Sequence, residues 1–146
     1  MTRRIVVPVN ESAQSERALP VAAALARRLG ASIALVSAVG WPNWDYPGHA
    51  GYHESLMAPY PDLDAESIVV KSKSDAATAI RAVCGADDII CLGAGHTSAM
   101  SELLLRSVFF DLVRDFHGPV VAVGPHATMP DGAGRMLLSV IFAHEK

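Results

Sequence analysis

Basic charge, cysteine and long apolar runs are all scarce in this chain, and each scarcity removes a class of function. Twelve lysines and arginines stand against 15 aspartates and glutamates, for a formal net charge of −3 over 146 residues. No basic face is implied, which argues against a nucleic-acid partner. The two cysteines, Cys84 and Cys91, lie in or beside apolar runs. They read as buried reduced thiols rather than as a disulfide or a metal site. No apolar run approaches the roughly 20 residues that a membrane-spanning helix needs. Residues 1–4 lead straight into a strand-like run with no signal-peptide core, so the expected location is the cytoplasm. A glycine fingerprint is also missing. The turn after the first strand is Asn10-Glu11-Ser12, with no G-x-G-x-x-G, which sets aside a dinucleotide-dependent dehydrogenase.

What remains is a globular composition, 51% hydrophobic and 18% charged, of a length that suits one domain with one good core. The stretch 86–125 organises the rest. Ile89-Ile90-Cys91-Leu92 is an apolar run ending at Gly93. The small-residue turn Ala94-Gly95-His96-Thr97 leads into an amphipathic segment ending near His117. Gly118-Pro119 stops it, and a second apolar run covers 120–123. This is strand, turn, helix, strand, and continuous apolar runs suit strands buried on both faces of a parallel sheet. In such a sheet the ligand crevice lies beyond the carboxyl ends of the strands, which is where residues 93–96 fall.

Taken in order, residues 5–9 form a β-branched strand with Pro8 near its end. Asn10 or Ser12 supplies capping oxygen to a helix over 13–29, closed by Gly30, with a kink at Pro20 or a helix that tightens from there expected. Ser32–Val39 is the second strand. Residues 40–67 hold both tryptophans and all three tyrosines among prolines and glycines, and read as a long loop that covers the sheet in place of a full crossover helix. One or two helical turns are allowed over 53–58. His49 and His53 have the spacing of a helical metal pair. Pro47, Gly48 and Gly51 argue against a helix there, and no third ligand joins them, so no metal is expected. A short edge strand follows from 68 to 71 or 72, guarded by Lys71 and Lys73. A short helix over 76–83 then precedes the strand–helix–strand unit. After a Pro/Gly linker, the apolar run 135–143 reads as one more strand. It either pairs with a sheet edge, its own or a partner's, or opens a second domain. The domain division is therefore 1–125 for the α/β domain and 126–146 for the linker and last strand.

Four segments together resemble the universal stress protein family. IVVPVNES is similar to the family's V-P-V-D-G-S opening, SDAATAI to its G-D-P-x-x-x-I turn, ADDIICLG to its A-D-L-I-V-M-G strand. Arg106-Ser107-Val108 followed by HGPVVAV resembles G-S-V followed by C-P-V-L-V-V. The resemblance runs from Arg4 to about Pro125. It implies a Rossmann-like doubly wound parallel sheet in the order 3-2-1-4-5, here with an extra C-terminal strand, and a homodimer built through the last strand.

Many members bind ATP through G-x-x-G, nine residues, then G-S or G-T, because glycine lets backbone N–H groups approach phosphate. Here the pattern becomes Gly93-x-x-His96, nine residues, Arg106-Ser107, and the Asp that ends the family's first strand is Asn10. The family's second helix is replaced by 40–67. The resemblance thus implies a stress-response regulatory domain with a modified site, lost on one reading. On another, the site still takes ATP or AMP through Val9, Asn10, Ser12, Ala38, Gly93, Gly95, His96, Arg106, Ser107 and Val108, with Arg106 pairing with phosphate. A third reading is a dimerisation or interaction module from a tandem arrangement. Each residue also has a plain role to weigh: Gly93 as a strand-end turn, Ser107 as a helix hydroxyl bonded to its own backbone, His96 as a solvent-exposed turn residue, His117 as a helix-end residue favourable to the dipole. Glu102, Asp111 and Asp115 read as a solvated face. No general base with an orienting partner stands out, so no enzymatic activity is expected.

Overall fold

Residues 3–10, 13–39, 49–71, 76–93, 114–124 and 140–142 are described in a computed structural model of the chain. The apolar runs become strands because each can bury both faces. β1 (Arg4–Pro8) pairs in parallel with β2 (Ser32–Val39) from Arg4↔Ser32 to Pro8↔Val36. β2 pairs in parallel with β3 (Ala65–Lys71). On its other side β1 pairs with β4 (Ile89–Gly93), and β4 with β5 (Pro119–Val123), again in parallel. The five parallel strands take the order 3-2-1-4-5. β6 (Val140–Phe142) joins the β5 edge antiparallel, making a six-stranded sheet. The last strand therefore pairs within its own chain.

Alternation along the strands divides the core in two. Ile5, Val7, Val9, Ile33, Leu35, Ile89 and Cys91 face α1 (Ala13–Glu16), α2 (Ala18–Leu29) and α3 (His49–Met57). Val6, Ala34, Val36, Ile90, Leu92 and Val120 face α4 (Ala76–Val83) and Phe116. Ile5, Ile33 and Ile90 are fully buried, and each such side chain contributes about 2 kcal/mol of transfer free energy. Both cysteines are free thiols, and burial pushes each up to about 12, which leaves them protonated and unreactive at neutral pH.

Three expectations are corrected. The helix over 13–29 is interrupted at Arg17, a turn before the expected kink at Pro20. Pro20 has no N–H to give to the carbonyl of Glu16, so the ladder breaks one turn upstream of the ring. Arg17 itself keeps helical angles, φ −60° and ψ −28°. The helix ends as expected at Gly30, whose φ of 65° is left-handed and easy for glycine.

The second correction concerns 40–67. A nine-residue helix, α3, forms there despite Gly51. Gly51 lies on the exposed side, while Tyr52, His53, Leu56 and Met57 turn toward the sheet. A helical glycine costs about 1 kcal/mol, which the burial of that face outweighs. Residues 58–63 then continue over the sheet, with Tyr60 and Leu63 packed against the same core. Third, β3 is seven residues long and starts at Ala65 rather than at 68. Its outer face is too exposed to show as an apolar run. It is an edge strand, as its lysines imply.

Candidate functional site

The sheet reverses its winding between β1 and β4, the position at which doubly wound folds hold ligands. The β1–β4 ladder comprises Ile5↔Ile89 and Val6↔Ile90. The outer ladders run farther, to Pro8↔Val36 on one side and Gly93↔Val123 on the other. The two central strands are thus not paired beyond Val6 and Ile90, and Asn10, just past β1, and Gly93, the last residue of β4, both lie at the carboxyl end of the sheet. The β1–β2 register, continued, sets Asn10 level with Ala38. Of the residues singled out in the sequence, Val9, Asn10, Ala38 and Gly93 are thus brought to one end of the sheet. Val9 is buried, Asn10 exposed and Gly93 buried. Ser12, Gly95, His96, Arg106, Ser107 and Val108 lie outside the described residues.

The backbone at the β1 lip is held by side chains that sequence reasoning missed. Ser37, 1% exposed, donates its hydroxyl proton to the Val9 carbonyl at 2.8 Å. The Asn10 N–H donates to the Ser15 hydroxyl at 3.1 Å. Behind Ser37 lies His53 of α3, 2% exposed, with Nε2 2.8 Å from Ser37 Oγ and Nδ1 2.5 Å from Ser67 Oγ. Hydrogen bonds on both ring nitrogens explain how a histidine is tolerated in this core. The available signal was Ser37, a hydroxyl inside the apolar run SIALVSAV on the same face as Ile33 and Leu35. A buried hydroxyl needs a partner.

At the other end of the sheet, Arg4 closes the gap between strands. Its Nη2 donates to Asp88 Oδ2 at 2.7 Å and to the Val83 carbonyl at 2.9 Å, its Nε to Asp88 Oδ1 at 3.3 Å, and its Nη1 to Glu66 Oε1 at 2.7 Å. Gly85 N–H also donates to Asp88 Oδ2 at 2.7 Å. Burial opposes ionisation of Asp88, but the Arg4 and Gly85 hydrogen bonds outweigh it and hold its carboxyl below the usual range. Among the described residues there is no group of three potential metal ligands and no helix long and apolar enough to cross a membrane.

A parallel sheet in the order 3-2-1-4-5 defines a doubly wound α/β domain, a class of fold that holds ligands at the switch point between its first and fourth strands. Residues 1–124 match the family model described as "Universal stress protein family", and the chain belongs to that family. Hypothetical protein MJ0577, solved as a test case of structural genomics, matches at TM-score 0.69 and 19% identity over 88% of this chain and 99% of its own. A universal stress protein in complex with cAMP matches at TM-score 0.58 and 19% identity over 83% and 96%. The universal stress protein from Archaeoglobus fulgidus in complex with dAMP matches at 0.55 and 15% over 84% and 98%. At these identities the likeness is one of fold. No curated protein matches the chain.

Proposed function

We propose that this chain is a non-catalytic regulatory domain of the stress response that accepts an adenine nucleotide with one phosphate. Asn10 and Ala38 lie on the adenosine side and Gly93 at the phosphate. The observation that carries this reading is the early end of the β1–β4 ladder at the switch point, with Asn10 and Gly93 at the same end of the sheet. The complexes with cAMP and dAMP support it, since both ligands join adenosine to a single phosphate. The family's glycine pattern is altered at His96 and Arg106, where a polyphosphate would need close backbone approach. A monophosphate needs fewer backbone donors, and the arginine that takes a glycine's place in the sequence pattern is a suitable counter-charge. Asn10, an amide in place of the family's carboxylate, offers both a donor and an acceptor to a base or ribose.

Isothermal titration with AMP, cAMP, ATP and GMP tests this. AMP or cAMP is expected to bind in the micromolar range and more tightly than ATP, with GMP weaker still. Silence across the set contradicts the reading. It supports instead an interaction module, which the loss of two pattern glycines favours. Phosphate release from ATP is expected to stay at the rate without protein. The domain acts in the cytoplasm as a homodimer joined through the outer edge of β6, and sedimentation velocity with and without residues 135–146 checks that assembly.

A further inference from the structure

Val9 and Asn10 share one peptide unit, and that unit is gripped from both sides. A trans peptide directs its C=O and N–H in opposite directions. Here the C=O accepts from Ser37 and the N–H donates to Ser15. Ser15 is 4% exposed and Ser37 1% exposed, so neither hydroxyl is free to swing into water. Once the peptide plane is held this way, the direction in which Asn10 leaves β1 is set as well.

The Ser37 side of the grip has a direction of its own. A hydroxyl has one proton, and that of Ser37 goes to Val9. Toward His53, Ser37 can therefore only accept, so His53 Nε2 carries a proton. In the neutral ring Nδ1 is then the acceptor, and Ser67 donates to it. The hydrogen bonds link Ser67, His53, Ser37 and the Val9 carbonyl in a row, and cross from β3 through α3 and β2 to the end of β1.

We propose that His53 is a positioning residue for the candidate nucleotide crevice: it fixes Ser37, which fixes the Val9–Asn10 peptide and with it the aim of Asn10. This rests on the nucleotide reading above for its consequence in binding, but the positioning itself is read separately. It also gives α3 a role beyond covering the sheet, since the helix supplies the ring that backs the β1 lip.

The experiment uses the full chain and AMP as probe. His53→Phe and Ser37→Ala each remove a link, while His53→Gln keeps a donor near the Nε2 position and Ser37→Thr keeps the hydroxyl. Each of the first pair is expected to weaken AMP binding about fivefold to tenfold, the loss of one well-placed hydrogen bond. The conservative pair are expected to stay within about twofold of the unaltered protein on the same measure. Long-range proton–nitrogen correlation of the His53 ring is expected to show the proton on Nε2. Amide exchange at Asn10 is expected to quicken in His53→Phe and Ser37→Ala. If His53→Phe does not fold, Ser37→Ala and Ser37→Thr decide the matter. Unchanged AMP affinity in the disrupting variants overturns the proposal, as does a ring proton on Nδ1 alone. If the unaltered protein itself gives no heat with AMP, the nucleotide reading fails. Positioning then stands or falls on the Asn10 amide: faster exchange in Ser37→Ala upholds it, and unchanged exchange overturns it.

Discussion

The two ends of the sheet are held by different chemistry. At the amino end, Arg4 reaches Asp88, Glu66 and the end of α4, so charge draws β1, β3 and the approach to β4 together. At the carboxyl end there is no comparable ion cluster among the described residues. Serine hydroxyls and one imidazole hold the backbone, and the central strands are not paired beyond Val6 and Ile90. At the closed end both Asp88 carboxylate oxygens accept hydrogen bonds, from Arg4 and from the Gly85 N–H. Under the nucleotide proposal the carboxyl end presents backbone and leaves room for a phosphate, which a fixed carboxylate there would repel.

Breaking the closed end has the largest expected effect. Asp88 is 7% exposed at its side chain and Arg4 26%. Asp88→Ala takes one of its three partners from the Arg4 guanidinium, which keeps Glu66 and the Val83 carbonyl, and leaves the Gly85 N–H without its acceptor, and is expected to cost about 3 kcal/mol in urea unfolding. Folded Asp88→Ala protein is expected to keep its AMP affinity, since Asp88 lies at the opposite end from Asn10. The same carboxyl sets an acid dependence. Its folded value is depressed below the ordinary one, so its contribution is complete above about pH 4 and is lost as pH falls through the folded value. Urea midpoints from pH 6 down to pH 2.5 are expected to fall less steeply for Asp88→Asn than for the unaltered protein.

Breaking the carboxyl end comes next. Ser37→Ala leaves the Val9 carbonyl and the His53 ring each short of a buried partner, an expected loss of about 2 kcal/mol. Unlike the Asp88 change, it should weaken nucleotide binding as well. Equal effects of the two changes on affinity would erase the contrast between the ends.

How far the sequence disclosed this contrast depends on the kind of signal. β1, β2, β4 and β5 were legible to within a residue or so, because strands buried on both faces leave unbroken apolar runs such as Ile89 to Leu92. Gly30 was legible because a left-handed cap has a strong residue preference. α3 was not, because Gly51 and the preceding Pro47-Gly48 weigh against helix locally while the gain comes from packing Tyr52, Leu56 and Met57 on a distant sheet. The ends of β3 were hidden because an edge strand does not need apolar residues on both sides. His53 was weighed only as a metal ligand. Its partners Ser37 and Ser67 are 16 and 14 residues away, a distance at which spacing carries no signal. Arg4, Glu66 and Asp88 were likewise unreadable as a cluster until the strand order set them side by side.

Two smaller changes sharpen the picture. A Cβ at Gly118 would lie 2.6 Å from Phe116 Cε2 and 3.1 Å from the Asp88 carbonyl oxygen. Gly118→Ala must move a buried ring at the closed end, with an expected cost of about 1–2 kcal/mol by thermal unfolding. The smallest effect belongs to Arg27 and Asp62, which pair at 2.8 Å on the surface with side chains 47% and 54% exposed. Solvent and salt screen that contact, so Asp62→Asn is expected to leave the urea midpoint unchanged within error.

The most direct measurement is an amide chemical-shift titration of labelled protein with AMP. The expected result is saturable movement at Asn10, Ala38 and Gly93, with Arg4 and Asp88 unmoved. Movement centred on Arg4 and Asp88, or no movement anywhere at millimolar AMP, contradicts a nucleotide crevice at the carboxyl ends of β1 and β4.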